Sequence, residues 1–302
     1  MLDVVGIGTN SVDEVLQLPI AVSAVAPGGK VRVGDRRFLC GGQTATVMAA
    51  CASLGLRPGY LGAFGSDEHG QLIRSALMEY GVDLRGSIEC DAPNRGAVIL
   101  VDPQGDRTVL WHRSERLKVP PGTLETPAMR ARVVHVDDDD PELALHAAAA
   151  ARLHGTPVTS DLEHVSDHTE RLIAAVTYPI FEQNLPRSIT GERDPERALR
   201  KLRRLNDGVL VMTRGAEGAV ALDGDVFHIA PGLAVTVVDG TGAGDVFRAG
   251  FIYGLLQKWP LPQMLRFANT AAAISCTRPG AIPSVPSLAD VQQLLSSAPA
   301  SH

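Results

Sequence analysis

Residues 239–250 read Asp-Gly-Thr-Gly-Ala-Gly-Asp-Val-Phe-Arg-Ala-Gly, a glycine-rich turn followed by an apolar segment. Small residues at Gly242, Ala243 and Gly244 leave backbone N–H groups open to an anion, and a helix starting near Asp245 adds its dipole. Asp245 itself repels a phosphate, so its place among these donors needs a chemical reason. Accepting the proton of an attacking hydroxyl during phosphoryl transfer is one such reason. A helix cap after a glycine-rich turn is the alternative.

Four further segments show ordered glycine patterns along the chain. They are Gly41-Gly42-Gln43-Thr44-Ala45-Thr46 running on to Leu54-Gly55, Phe64–Gly70, Thr213-Arg214-Gly215-Ala216-Glu217-Gly218, and Thr277-Arg278-Pro279-Gly280-Ala281. Together with residues 239–250, these segments resemble the signatures of the ribokinase-like (PfkB) family of sugar and nucleoside kinases. The resemblance extends over nearly the whole chain.

The resemblance implies a role for individual residues. Asp245 would be the catalytic base, and Gly242, Ala243 and Gly244 the anion hole. The sugar would be held by Asn10, Asp13, Gly41, Gly42 and Thr46. ATP would be bound by Thr213, Gly215, Gly218, Asn269 and Gly280. Asp239, the Thr241 carbonyl and Ser284 match a monovalent-cation site, which implies potassium, and Mg²⁺ would accompany ATP.

The chain departs from the family pattern at three positions. Gly240 replaces the first Thr of the usual D-T-T-G-A-G-D string, and Thr46 replaces an Asn that contacts sugar, so an amide becomes a hydroxyl. The N-x-x-E motif that organises magnesium is out of register near residue 182. Glu182 and Asn184 are the nearest candidates for it.

Apolar strands alternate with helical segments, a pattern that predicts an open, mainly parallel α/β sheet flanked by helices. Predicted strands are 4–8, 60–64, 133–136, 158–161, 178–183, 209–213 and 219–222. Predicted helices are 43–54, 70–80, 142–154, 167–176, 195–205 and 245–257. The resemblance implies one ribokinase-like kinase domain over residues 1–302.

Two regions interrupt this alternation and predict β-ribbons. Residues 13–19 pair with 30–40, and residues 97–101 pair with 108–112 around a turn at 103–106. In the family such ribbons, at about 13–40 and 95–113 here, form a small β-sheet lid over the sugar and often a dimer clasp. A lid suits phosphoryl transfer because it excludes the competing water.

The amino-acid composition argues against some classes of binding partner. A net charge of −6 argues against nucleic acid, because phosphate-backbone affinity comes from clustered Lys and Arg. No apolar run is long enough for a membrane span, and the chain reaches a strand-like segment at once, so we expect a cytoplasmic protein. The four scattered cysteines fit free thiols in a reducing compartment.

The residues and the resemblance together predict ATP-dependent phosphorylation of a hydroxyl group of a small carbohydrate. A nucleoside kinase, a sulfo- or phosphosugar kinase, and a non-catalytic sugar or nucleotide sensor on the same fold remain alternatives. Lys30 and Arg32, on one face of a predicted lid strand, favour an anionic sugar. The aspartates at 137–140 oppose one, so we expect a neutral acceptor.

Overall fold

The computed structural model describes residues 1–125 and 130–297 of the chain. Its strands, in chain order, are β1 (Leu2–Ile7), β2 (Ser11–Gln17), β3 (Arg36–Gly41), β4 (Pro58–Leu61), β5 (Ala63–Gly65), β6 (Ile88–Cys90), β7 (Gly96–Val101), β8 (Arg107–His112), β9 (Ala131–Asp137), β10 (Val158–Asp161), β11 (Ile180–Phe181), β12 (Leu210–Thr213), β13 (Ala219–Asp223) and β14 (Val226–Ala230).

The described helices alternate with these strands. They are α1 (Gln43–Ser53), α2 (Glu68–Glu79), α3 (Pro141–Leu153), α4 (Thr169–Ala175), α5 (Asn184–Thr190), α6 (Pro195–Leu202), α7 (Ala243–Leu256), α8 (Leu261–Ser275) and α9 (Leu288–Ser297). Among the helices within the described residues, none is long and apolar enough to cross a membrane.

The central sheet is mainly parallel, as the alternating pattern predicts. Its first half has the order β10-β9-β1-β4, all parallel, and its second half has the order β11-β12-β13-β14. Parallel bridges from Thr159 to Tyr178 and from Leu162 to Phe181 join the halves between β10 and β11. Because β1, β9, β10 and β11 run in one direction, their carboxyl ends meet along one edge of the sheet, where open α/β sheets bind ligands.

A second, smaller sheet carries the predicted lid ribbons in the order β3-β2-β7-β8. The β2–β3 and β7–β8 pairs are antiparallel, whereas β2 and β7 run parallel. The predicted small sheet is therefore confirmed, but the expected strand at 30–40 begins only at Arg36. Arg36 is opposite Leu16, near the end of β2, so residues before it have little strand left to pair with.

Other boundaries also differ from the sequence-based prediction. The strand expected at 178–183 is reduced to β11, and the one expected at 60–64 is divided into β4 and β5. Helices α5, α8 and α9 and strand β14 were not predicted. Helix α5 contains Pro186, which suggests a break in the sequence, but it lies in the first turn, where a missing N–H costs little.

Two large apolar clusters hold the sheet between its helices. One contains Val5, Val134 and Leu222 and lies against α3, and the other contains Val4, Met48 and Val246 and lies against α1 and α7. Helices α7 and α8 also pack on each other through glycines. A Cβ added to Gly250 would lie 2.7 Å from the Cα of Ala268, so only glycine allows this approach.

Candidate active site

The predicted anion hole lies at the N-terminus of α7. Gly242 caps the helix with φ +78°, in the left-handed region that glycine tolerates, and α7 begins at Ala243. A Cβ on Gly242 would lie 2.8 Å from the Cβ of Ala281 and 3.4 Å from the Thr46 methyl group. The turn is therefore pressed between α1 and the 277–281 loop, with the first N–H groups of α7 at its open end.

Asp245 occupies the first turn of α7 and is buried, with 8% of its surface exposed. Burial raises the pKa of its carboxyl to about 8, and the carboxylates of Glu163 and Asp137 act in the same direction. The Arg248 guanidinium opposes them. A carboxyl tuned toward neutral pH in this way has the property expected of a general base.

Thr46 and Asp13 lie where the sugar site was predicted. Thr46 is fully buried on α1, and its hydroxyl oxygen makes no hydrogen bond within the described chain. Asp13 lies on β2 of the lid opposite Ala97 of β7. Burial raises the pKa of its carboxyl, against a backbone hydrogen bond from Ala97 and the charge of Arg95.

The remaining predicted sugar residues shape the pocket. The Asn10 amide donates to the Tyr60 hydroxyl at 2.9 Å and the Ala63 carbonyl at 2.8 Å, and it accepts from Asn94 at 3.0 Å. These bonds use both of its donor hydrogens, so Asn10 braces the pocket instead of presenting a free amide. Gly42, at φ +95°, caps α1, and a Cβ there would lie 2.5 Å from the Asn10 Cα.

Gly41, the last residue of β3, packs beside the same loop as the anion hole. A Cβ on it would lie 3.5 Å from the Ala281 Cβ, the atom that also lies against Gly242. The structure therefore brings Gly41, Thr46 and Gly242 together around Ala281.

Each of the four aspartates at 137–140 makes hydrogen bonds or ion pairs within the protein. Asp137 accepts from the Thr9 N–H and hydroxyl and from the Thr44 hydroxyl, and Asp138 accepts from the N–H groups of Glu163 and His164. Asp139 contacts two arginines, and Asp140 caps α3 by accepting from the N–H of Leu143. Arg95 and Arg113 pair with Asp139 and Asp140, whereas the donors to Asp137 are uncharged, so the expected repulsion of an anionic acceptor by this run is offset in part.

The two arginines on Asp139 were missed by the sequence analysis. Arg95 precedes β7 and Arg113 follows β8, so the lid carries both. Arg113 Nη1 lies 2.5 Å from an Asp139 carboxylate oxygen, and Arg95 contacts the other oxygen. A small cavity lined by Gly8, Asn10 and both arginines lies beside them. Lys30 and Arg32, the predicted lid cations, are instead exposed and outside any strand.

Two of the predicted ATP residues, Gly218 and Asn269, meet at the end of β14. A Cβ on Gly218 would lie 2.3 Å from the Ala230 carbonyl oxygen, so this position needs glycine. The Asn269 amide donates to that same oxygen at 2.8 Å. Thr213 ends β12, and Gly215 begins the short turn that leads to Gly218, with φ +54°.

Gly280 connects the 277–281 loop to the start of the 239–250 stretch. Its N–H donates to an Asp239 carboxylate oxygen at 3.0 Å. The other Asp239 oxygen accepts from the Thr241 hydroxyl at 2.7 Å and from Arg107 Nη2 at 3.0 Å. These donors hold the pKa of Asp239 at about 2, against its burial.

Arg107 therefore stands against the residues predicted to bind a monovalent cation. It begins β8, and its guanidinium also donates to the Thr241 hydroxyl at 3.1 Å, so the lid reaches the anion-hole loop. Ser284, the third predicted member, donates to the Ala281 carbonyl at 2.8 Å. Because Asp239 already holds a guanidinium and three other donors, the residues present do not fit a potassium ion.

Glu182, the predicted magnesium ligand, follows β11. Its carboxylate accepts from the Asn184 N–H at 2.8 Å and from the Asn184 amide at 2.9 Å, so the two candidate residues pair with each other. The described residues contain no cluster of three His, Cys, Asp or Glu side chains that could hold a metal. Because both Glu182 oxygens accept from Asn184, a magnesium ion that accompanies ATP would be held mainly by phosphates and water.

Comparisons with known proteins agree with this architecture. Residues 10–288 match the family described as pfkB family carbohydrate kinase. An ATP-dependent ribose-1-phosphate kinase of Halopiger xanaduensis is 30% identical over 84% of this chain and 86% of its own. A nucleoside kinase of Methanothermobacter thermautotrophicus is 27% identical over 94% of this chain and 92% of its own. Arabidopsis thaliana ribokinase complexed with ribose and ATP has the same fold, with a TM-score of 0.86, 23% identity, and coverage of 98% of this chain and 99% of its own.

Proposed function

The chain belongs to the pfkB family of carbohydrate kinases, and we propose that Asp245 is the base of its phosphoryl transfer. The protein is an ATP-dependent carbohydrate kinase. The observation that carries the assignment is the buried Asp245 carboxyl in the first turn of α7, directly after the Gly242 cap. No other element of the described chain combines a buried carboxyl with a glycine-capped helix N-terminus in this way.

In the proposed reaction, a sugar hydroxyl attacks the γ-phosphorus of ATP. The new bond joins the hydroxyl oxygen to phosphorus, the bond to the ADP oxygen breaks, and the hydroxyl proton passes to Asp245. The N–H groups of Gly242, Ala243 and Gly244 stabilise the charge on the transferred group. A positioned base of this kind contributes about 10²–10⁴-fold to the rate.

The sugar would lie between the lid and α1. The half-buried Asp13 carboxylate is the polar group proposed to bind a sugar hydroxyl, and the buried Thr46 hydroxyl, which has no partner in the described chain, is proposed to join it when sugar binds. Gly41 and Gly42 let the turn before α1 pack closely against Ala281 and Asn10, and Asn10 fixes the pocket wall. Placing Thr46 against Gly242 would bring the bound sugar close to the anion hole.

ATP would lie along the loop from Thr213 to Gly218 and the segment from Asn269 to Gly280. Both flank α7, and the Ala230 carbonyl joins them. Magnesium, when bound with ATP, neutralises phosphate charge, and Glu182 is the protein carboxylate proposed to face it. We propose no potassium requirement, because Arg107 supplies the positive charge at Asp239.

A phosphorylated sugar is a second candidate acceptor. Arg95 and Arg113 support it, since their side chains keep about a quarter of their surface exposed beside the cavity at Asn10. The first relative named above is a ribose-1-phosphate kinase, which favours the same substrate class. The phosphate group of such a sugar could replace Asp139 as the partner of both guanidiniums, through bidentate contacts.

We propose that the protein assembles through its lid. The outer strand β8 exposes Val109, Leu110 and Trp111, an apolar surface that suits a homodimer formed through the lid. We also propose a cytoplasmic enzyme acting on a small-molecule substrate, without nucleic-acid or membrane partners, on the basis of its net charge of −6.

The proposal is tested by a panel of neutral sugars, sugar phosphates, sulfosugars and nucleosides assayed with Mg-ATP for ADP release, with mass spectrometry of the product. We expect one sugar class to give ADP and phosphorylated sugar in equal amounts. Sugar binding by calorimetry without any phosphorylated product would favour the sensor alternative. If a sugar phosphate is the acceptor, Arg95→Met should raise its KM, and Arg37→Met, on exposed β3, should not.

A further inference from the structure

Arg248 is a buried cation that the proposed reaction does not yet use. It lies on α7 one turn after Asp245, and only 1% of it is exposed, although it is among the largest buried side chains. A guanidinium stays charged in proteins, and burying a charge is costly unless it is paired. An apolar residue would fill the same space in the core at lower cost, so this charge requires a reason.

The guanidinium reaches back toward the helix N-terminus, as long helical side chains do. A Cβ on Gly244 would lie 2.6 Å from Arg248 Nη1, so the cation lies against the backbone of the proposed anion hole. Its other terminal nitrogen, Nη2, contacts the carboxylate of Asp161, which ends β10 and is fully buried. Glu163 lies farther from this nitrogen, at 3.9 Å.

The charged groups around Asp245 are mostly negative. Glu163 and Asp137 face it, Asp161 lies beside it, and Asp138 faces Asp161 in turn. His135 of β9 packs beneath them but contributes no charge, because burial and Arg248 lower its pKa to about 3. Arg248 is the cation among the groups facing Asp245 in the described part of the chain.

We propose that Arg248 is a positioning residue, an internal counter-ion that Asp161 holds beneath the anion hole and that favours the ionised Asp245 needed for proton abstraction. The inference rests on the proposed role of Asp245. Burial and the neighbouring carboxylates favour a protonated Asp245, and a protonated carboxyl cannot accept the hydroxyl proton. The positive charge of Arg248 favours the ionised Asp245 carboxylate instead. It does so without contacting the substrate, because the guanidinium lies beside Asp161 at the end of β10.

The test compares the pH profile of kcat/KM for Arg248→Met, Arg248→Lys and the wild type. The acceptor is whichever of D-ribose, D-fructose and D-ribose 1-phosphate gives ADP release. Arg248→Met should move the acidic limb to higher pH by about one unit or more, with activity lost at pH 7 and partly regained at pH 9. Arg248→Lys should keep the limb near its wild-type position.

A matched control is Arg132→Met, which removes another ion-paired arginine, on β9, from its partner Asp3. It should leave the acidic limb in place. An equal loss of activity at every pH in a folded Arg248→Met protein would mean a merely structural role and would overturn the proposal. An unchanged acidic limb would overturn it as well.

Asp161→Asn provides a second variant if Arg248→Met does not fold. Without the carboxylate that holds its guanidinium, Arg248 should act less on Asp245, so the acidic limb should move to higher pH, as in Arg248→Met, and an unmoved limb would contradict the inference. A measurement made without substrate distinguishes failure of this inference from failure of the proposed function. The stability gain caused by Asp245→Asn should continue to rise to higher pH, and become larger, in the Arg248→Met background, whether or not a sugar is turned over.

Discussion

At the scale of residues, the anion hole depends on positions that only glycine can occupy without strain. Gly242 combines a left-handed backbone with close neighbours on two sides, Thr46 and Ala281. The 239–250 stretch was enough to predict this position and the base beside it. The arginines could not be predicted, because Arg95, Arg107, Arg113 and Arg248 find their carboxylate partners far away in sequence, through the fold.

We predict that Gly242→Ala lowers kcat by at least about tenfold, since the new methyl group would push the anion hole away from Ala281. The matched control is Gly155→Ala at the end of α3, where φ is also positive, at +63°, but nothing lies within 4 Å of the new Cβ. Both variants should lose stability through backbone strain, by about 1 kcal/mol or more. Steady-state kinetics and thermal unfolding separate the effects, and equal kcat values for the two variants would contradict the prediction.

At the scale of elements, the lid is tied to the catalytic loop by one side chain. Arg107 starts β8 and bonds to both Asp239 and Thr241, so the hairpin of β7 and β8 lies over the anion hole when this contact is made. The sequence predicted both hairpins from their alternation and turns. Helix α8 was missed because most of its residues are buried, which removes the polar face that marks an amphipathic helix.

Removing this contact should loosen the lid. We predict that Arg107→Ala raises the sugar KM and increases ADP formation without sugar phosphorylation, because water then reaches the γ-phosphate. The ratio of ADP to sugar phosphate measures the effect. Arg37→Ala, which removes a lid ion pair with Asp35 on an exposed strand, is the control and should keep a ratio of one. A ratio of one for Arg107→Ala would contradict the predicted role of the Arg107 contact in holding the lid closed.

At the scale of the whole molecule, buried carboxylates lie along one edge of the sheet. Their burial should make the free energy of unfolding depend on pH. The alternating pattern predicted which strands end there, but it could not show that Asp137, Asp161 and Asp245 are fully or nearly fully buried. Burial depends on packing by α1, α7 and the lid, which are distant in sequence.

The pH dependence of unfolding tests this arrangement. The pKa of Asp245 is about 8 in the folded protein and near 3.8 when unfolded, so the folded state holds more protons between these values. Its contribution to stability is therefore present below about pH 4 and lost as pH rises toward 8. We predict that Asp245→Asn raises the Tm more at pH 8.5 than at pH 5.5. A constant difference across this range would contradict the raised pKa.

A single-turnover measurement tests whether Asp245 takes the proton of the sugar hydroxyl. Rapid-quench formation of phosphorylated sugar should be about 10²–10⁴-fold slower in Asp245→Asn than in the wild type, with sugar and ATP affinities nearly unchanged by calorimetry. If Asp245→Asn keeps more than roughly a tenth of the wild-type rate under these chemistry-limited conditions, Asp245 is not the base.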